Sequence, residues 1–250
     1  MANGVGAALI TGAGRRIGAA IAEAMAREGR PVAIHCHGSA EEAEATARRI
    51  AGRGGRAAVV AGDLADPATL ERLVPQTAEA LGGPLEVLVN NASIFEEDGI
   101  GALEVAAWDR QMAINLRAPV FLAQAFAAQL PANVGGCVVN VIDQRVLKAT
   151  GRFVSYTLSK SALLTATETL ALALAPRVRV VGVAPGPTLA NARQSAEAFA
   201  RQAEATPLGR GPTPAEIARA VLFLLEAESV TGVMLPVDGG QHLAPDRDDD

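Results

Sequence analysis

AALITGAGRRIGAAIAEAMAREGRPVAIHC, residues 7–36, reads as strand, glycine-rich turn, helix and second strand. The apolar run Ala7 to Thr11 is strand one and leads into TGAGRRIG, Thr11 to Gly18. Helical periodicity then runs from Ile17 to Glu28, where Gly29 stops it, and Pro31 to Cys36 is strand two. Both strands are almost wholly apolar rather than alternating, as expected of parallel strands covered on two faces. Glycines at 12, 14 and 18 permit a tight turn and a close backbone approach. The helix that follows points unsatisfied N–H groups at whatever sits there. An anionic pyrophosphate suits that place, the alternative being a plain turn.

The same alternation continues along the chain. Ala40 to Ala51 reads as a charged surface helix, Ala57 to Ala61 as strand three, and Pro67 to Leu81 as a helix with proline in its first turn. Val87 to Asn90 is strand four, followed by a long helix from Leu103 to Leu130 that breaks near Pro119. Cys137 to Ile142 is strand five, Gly151 to Ala175 a helix, and Val178 to Val183 strand six. Helices at Asn191 to Ala203 and Pro214 to Glu226 precede a last strand, Val233 to Val237. Repeated βα units predict an α/β fold, a doubly wound (Rossmann) parallel sheet of seven strands with helices on both faces. Ligands of such sheets bind beyond the carboxyl ends of the strands, where the strand order reverses.

With 250 residues and no linker or composition break, residues 1–244 read as one domain, with an acidic tail at 245–250. A chain of this length buries roughly 70–75% of its unfolded surface. Half the residues are hydrophobic but 3% are aromatic, so the core is aliphatic. Net charge is −5 and the arginines are scattered, which argues against a nucleic-acid or anionic-membrane partner. The chain shows neither a signal peptide nor an apolar run long enough to span a bilayer. Cys36 and Cys137 lie near strand ends, without CxxC or Cys/His spacing, so no metal site is expected and a reduced, cytoplasmic protein is.

The chemistry concentrates in NVIDQRVLKATGRFVSYTLSK, residues 140–160. It holds the single tyrosine, Tyr156, and Lys160, in a chain whose 22 basic residues are almost all arginine. On a helix, residues four apart share a face. A neighbouring ammonium favours the phenolate and lowers the phenol's usual pKa of about 10, giving a proton donor for neutral pH. The alternative is an exposed Tyr–Lys pair with no chemistry. The end of strand two carries His35, Cys36, His37, Gly38 and Ser39, where an NAD-specific site has an acidic residue. With Arg15 and Arg16 this predicts a basic, hydroxylic pocket for a 2′-phosphate, hence NADPH, the alternative being that one or both arginines are solvated loop charges. Asp63, with Leu64, ends strand three and is placed to accept from an adenine amino group, Asp66 being better placed as helix cap. NNAS (Asn90, Asn91, Ala92, Ser93) offers small polar groups to ribose and nicotinamide. VAPGPT, with Pro185, Gly186, Pro187 and Thr188, forms a wall beside the nicotinamide or an ordinary turn.

TGAGRRIG, NNAS, YTLSK and the PG after strand six together resemble the short-chain dehydrogenase/reductase family over nearly the whole chain. The resemblance implies a nicotinamide cofactor bound through Gly12, Ile17 and Gly18 among others, and Tyr156 as acid/base. It also implies that Lys160 binds the ribose and acidifies the tyrosine, and that Asn115, in MAINLRAP, supports a proton relay through water. Asn115 alternatively bonds locally within its helix. Arg16 stands where the family has glycine, and Asp143 where it has serine, thirteen residues before the tyrosine. Both departures, with HCHGSAEEA, LVNNASIF and DGGQHL, are similar to the pteridine reductase branch, which includes dihydromonapterin reductases. That branch often has a basic residue at the position of Gly38.

A serine there donates to a carbonyl oxygen, whereas an ionised aspartate repels an oxyanion and instead binds an N–H edge or relays a proton. A pterin C=N fits Asp143 better than a ketone does. Ser93 and Phe95 match pterin-holding positions of that branch, with plain packing the alternative for Phe95. The expectation is therefore an NADPH-dependent dihydropterin reductase. The alternatives are a carbonyl, 3-oxoacyl thioester or alcohol enzyme and a non-catalytic dinucleotide-binding regulator. Residues 189–210 read as a substrate lid. The apolar girths of Pro119 to Leu130 and Ser161 to Ala175 suggest subunit interfaces, and the family's use of these helices implies a homotetramer.

Overall fold

Seven parallel strands form one sheet in the order β3-β2-β1-β4-β5-β6-β7. The computed structural model describes residues 6–190 and 194–244. In chain order the elements are β1 (Ala7–Ile10), α1 (Arg16–Arg27), β2 (Val32–Cys36), α2 (Ala40–Ala51), β3 (Ala57–Ala61), α3 (Pro67–Leu81) and β4 (Leu85–Asn90). They continue with α4 (Val105–Met112), α5 (Ala118–Gln129), β5 (Gly136–Val141), α6 (Val154–Leu174), β6 (Val178–Pro185), α7 (Ala196–Glu204), α8 (Pro214–Glu226) and β7 (Met234–Val237). Strand order reverses between β1 and β4, so the carboxyl ends of these strands open the crevice where such sheets bind ligands.

Side-chain alternation along each strand divides the core into two layers. Ala8 and Ile10 of β1 face a cluster with Ile21, Met25, Ile50, Ile217 and Val221 from α1, α2 and α8. Leu9 faces the other, with Leu70, Leu73, Leu122 and Phe126 from α3 and α5. Arginines close several helix ends: Arg56 donates to Leu81 O of α3, Arg177 to Leu130 O beyond α5, and Arg179 to Leu224 O and Leu225 O of α8. These carbonyls have no partner within their helices, and a planar fork of donors satisfies them at the negative end of the dipole. That use explains arginines that belong to no binding stripe.

Several boundaries differ from the sequence expectation. The helix expected over Leu103 to Leu130 is α4 and α5 joined by a π-helical turn, Ala113–Arg117, upstream of Pro119. Pro119 itself sits in the first turn of α5, where a missing N–H costs little. The helix expected from Gly151 begins at Val154, because Phe153 adopts a left-handed φ of 58°. Asp98, from the loop after β4, caps it from outside. Its carbonyl accepts from Phe153 N at 2.9 Å and its carboxylate from Ser155 N at 3.1 Å and from the Ser155 hydroxyl. The helix expected from Asn191 starts at Ala196, capped by Ser195, and residues 191–193 lie outside the described residues, as does the acidic end at 245–250.

Candidate active site

Tyr156 stands in the first turn of α6, 5% exposed, and its hydroxyl donates to Asp143 Oδ2 at 2.8 Å. Asp143 follows β5 and is held by its other oxygen, which accepts from Arg145 N at 2.9 Å and caps the 3₁₀ turn Gln144–Leu147. Lys160 is one turn further along α6 on the same side, as the spacing predicts. Its Nζ donates to Val141 O at 2.8 Å and lies 5.8 Å from the Tyr156 ring centre.

The acidified phenol expected from the sequence is reversed in the structure. Burial pushes the Tyr156 hydroxyl well above its ordinary 10, and the Asp143 charge and hydrogen bond push it further; Arg145 and Ser93 act the other way. Lys160 is itself lowered to about 8 by burial, with Asp143 opposing. The physical reason is burial first and then a carboxylate that accepts the phenol's hydrogen bond, while the lysine's own bond goes to a backbone carbonyl. The pair as it stands is a firmly protonated donor beside an acceptor.

Asn115, in the π turn, is fully buried, and its bonds reach outside its helix. Its Oδ1 accepts from Ser93 Oγ and Ile94 N, and its Nδ2 donates to Ile94 O and Ser159 Oγ. It thus joins the end of β4 to α6. Phe95 stacks on Phe153 with centroids 4.3 Å apart and meets Tyr156 edge-on at 4.7 Å. Phe95 is therefore packed between the start of α6 and the reacting tyrosine.

At the crevice between β1 and β4, Gly12 has a φ of 63°, and a Cβ there would lie 2.9 Å from Ala92 Cα. At Gly18 it would lie 2.5 Å from Gly12 O. Asn91 Nδ2 donates to Thr11 O and Gly12 O and its backbone N–H to Thr11 Oγ1, so this residue secures the turn. The N-termini of α1, at Arg15, and α2, at Ser39, lack side-chain caps. Two uncapped helix starts at the crevice fit the phosphates of a dinucleotide. Arg15 is exposed and loosely paired with Glu42 at 3.8 Å, and His37 is exposed 3.8 Å from Asp63.

Four residues expected to contact the cofactor already have partners or burial within the protein. His35 is buried: its Nδ1 accepts from Gly12 N and its Nε2 donates to Gly62 O, with the pKa lowered to about 4 by burial. It is a neutral strut beneath the glycine turn rather than part of a basic pocket. Arg16, whose φ is 56°, donates to Leu189 O and Ala190 O and so reaches across to the segment after β6 instead of pointing at β2. Leu64 is buried in the core below α3. Asp63 is engaged by Ala65 N and Arg110, which hold its carboxyl below the usual range. At the β6 end, Gly186 packs on Asp238, a Cβ lying 2.6 Å from Asp238 Cα, and Thr188 bonds its hydroxyl to Gly186 O. Pro185 closes β6 and is buried. Sequence reasoning missed Asp98 and Arg145; their partners lie across turns that no local pattern signals.

The family model described as enoyl-(acyl carrier protein) reductase matches residues 12–242. FolM alternative dihydrofolate reductase 1 from Brucella canis, solved complexed with NADP, superposes with a TM-score of 0.94. It is 50% identical, with 98% of this chain and 97% of that one covered. An uncharacterised oxidoreductase of Thermotoga maritima is 35% identical over 93% of this chain and 95% of its own. Galactitol 2-dehydrogenase of Agrobacterium fabrum is 32% identical over 95% and 97%. The glycine turn, the NNAS strand end, the Tyr156–Lys160 helix and the family match across residues 12–242 agree, and the chain belongs to the short-chain dehydrogenase/reductase family.

Proposed function

We propose that the protein is an NADPH-dependent reductase of a dihydropterin-like ring. The observation that carries this reading is the 2.8 Å bond from the Tyr156 hydroxyl to a carboxylate, Asp143, in the place where a carbonyl reductase of this family would offer a second donor. A developing alkoxide beside Asp143 meets repulsion, whereas a ring presenting N–H or amino groups finds an acceptor there. NADPH, when bound, supplies the hydride, and the C=N carbon receives it. Tyr156 gives the proton to the ring nitrogen and is reprotonated from solvent, and Asp143, within hydrogen-bond reach, orients the ring edge. Lys160 and Asn115 hold the first turns of α6 in register with β5 and β4. Ser93 and Phe95 flank the ring.

Arg15, His37 and Ser39, with the uncapped starts of α1 and α2, support a 2′-phosphate at the end of β2. The 50% identity to a protein crystallised with NADP supports the same cofactor. Residues 189–210, tied to the glycine turn through Arg16, serve as the lid. Phe121, Leu158 and Leu172 expose apolar side chains on α5 and α6, with Leu172 83% exposed, which supports pairing of these helices in a cytoplasmic homotetramer. Light scattering of the purified protein tests this: a monomeric mass contradicts it.

Reduction of carbonyl or 3-oxoacyl thioester substrates is the second reading, supported by the kinship to galactitol 2-dehydrogenase. NADPH consumption with dihydrobiopterin, dihydromonapterin and acetoacetyl thioesters separates the two. Turnover of the thioester alone would end the pterin reading.

A further inference from the structure

Most cations on the loops at the carboxyl ends of the strands and at the start of α6 are already engaged. Lys160 donates to Val141 O, Lys148 to Ala244 O, Arg16 to Leu189 O and Ala190 O, and Arg152 pairs with Glu97 at 2.6 Å. Arg145 is different. Among the described residues its guanidinium makes one long hydrogen bond, to Thr150 Oγ1 at 3.4 Å, and no carboxylate lies within ion-pair distance. It rests instead on aromatic faces, 5.0 Å from the Phe153 centroid and 5.8 Å from that of Phe95. Since a guanidinium is a fork of donors without an acceptor, most of that fork is free to meet a ligand.

The backbone of Arg145 is tied to the reacting pair, its N–H donating to Asp143 Oδ1 at 2.9 Å, and its guanidinium lies over Phe153 and Phe95. Its charge also favours the ionised Tyr156, as expected if both face the same space. The site is thus bipolar: an acceptor carboxylate at the ring edge, and an unneutralised planar cation beside the Phe95–Phe153 stack.

We propose that Arg145 is a specificity residue that binds an anionic arm of the substrate, a carboxylate or a phosphate carried on the reducible ring. This rests on the reading of the site as a pterin reductase and narrows its substrate class. A guanidinium backed by π faces is weakly hydrated and matches either anion through paired bonds.

The test compares wild type with Arg145→Met, which keeps a long apolar contact on Phe153 but removes the charge. Each is assayed with dihydrofolate (carboxylate arm), dihydroneopterin phosphate (phosphate arm) and dihydrobiopterin (uncharged arm). The expected result is a KM that rises about tenfold more for one of the charged arms than for the uncharged one, with kcat less affected. The arm that responds identifies the anion. Arg145→Lys should recover more of a phosphate effect than of a carboxylate effect. Equal losses on all three substrates overturn the proposal. If wild type reduces none of them, the pterin reading fails by itself. The inference is then judged by binding of folate to the NADP⁺-loaded protein: about tenfold weaker binding by Arg145→Met upholds it, and an unchanged Kd overturns it.

Discussion

The hydroxyl of the buried Tyr156 donates to Asp143 Oδ2 at 2.8 Å, and this bond helps to set the protonation of the reacting group. Burial and the carboxylate both hold the phenol protonated above pH 10. Removing the carboxylate charge with Asp143→Asn takes away one of these two causes. The phenolate titration is therefore expected to move to lower pH in Asp143→Asn. Because Tyr156 is the only tyrosine, ultraviolet absorbance of the phenolate reads this residue alone. Equal midpoints in the two proteins would show that Asp143 does not govern the proton. Tyr156→Phe, which has no proton to give, should lose about a hundredfold or more in reduction rate.

Asp143→Ser replaces the acceptor by a donor at the same point. A ring that bonds through N–H groups loses its partner, while a carbonyl oxygen gains one. The ratio of kcat/KM for dihydrobiopterin to that for an acetoacetyl thioester is expected to fall at least about tenfold. A ratio that stays put removes the argument that Asp143 selects against carbonyls.

Much of this arrangement was legible beforehand because it depends on local rules. Pro67 with Asp66 and Gly82 bounds α3, and Pro214 with the Thr213–Glu216 capping box starts α8; each signal lies within a few residues of the end it sets. Uniformly apolar runs gave the strands, and glycine spacing located the turn. The residues misread are those whose partners lie far away in sequence. His35 looked basic because histidine usually is near neutrality, but Gly12 and Gly62 bracket its ring and leave it neutral. Lys160 looked like the tyrosine's counter-charge by spacing, yet Val141 O on β5 takes its ammonium. The start of α6 was placed early because Asp98, which caps it, lies in the loop after β4.

His35 also makes the glycine turn sensitive to acid. Its folded pKa is about 4 against an ordinary 6.5, so the fold favours the neutral ring. Between those values the unfolded chain binds the proton and the folded one does not. The stabilisation is complete above pH 6.5 and is lost as pH falls towards 4, by up to about 3 kcal/mol. His35→Asn keeps an acceptor for Gly12 N but has no titrating group, and it gives up the bond to Gly62 O, worth about 1 kcal/mol. The variant should be the less stable protein at pH 7, with the gap shrinking or inverting under acid. Urea denaturation at several pH values measures it. A gap that does not vary with pH would mean that His35 is not the titrating strut.

Arg16 combines a backbone cost with a side-chain gain. Its φ of 56° is a left-handed conformation that costs a non-glycine residue about 1–3 kcal/mol. Its guanidinium in turn donates to Leu189 O at 3.1 Å and Ala190 O at 2.9 Å, bonds made at an exposed position and so of modest worth. Arg16→Gly relieves the first, loses the second and adds chain entropy to the unfolded state, so global stability should move by no more than about 1 kcal/mol either way. The segment after β6 behaves differently, because the glycine turn no longer holds its first carbonyls. Limited proteolysis should cut within residues 189–210 several times faster in Arg16→Gly than in wild type at the same melting temperature. Cleavage there at an unchanged rate would show that the Arg16 bonds do not restrain the segment.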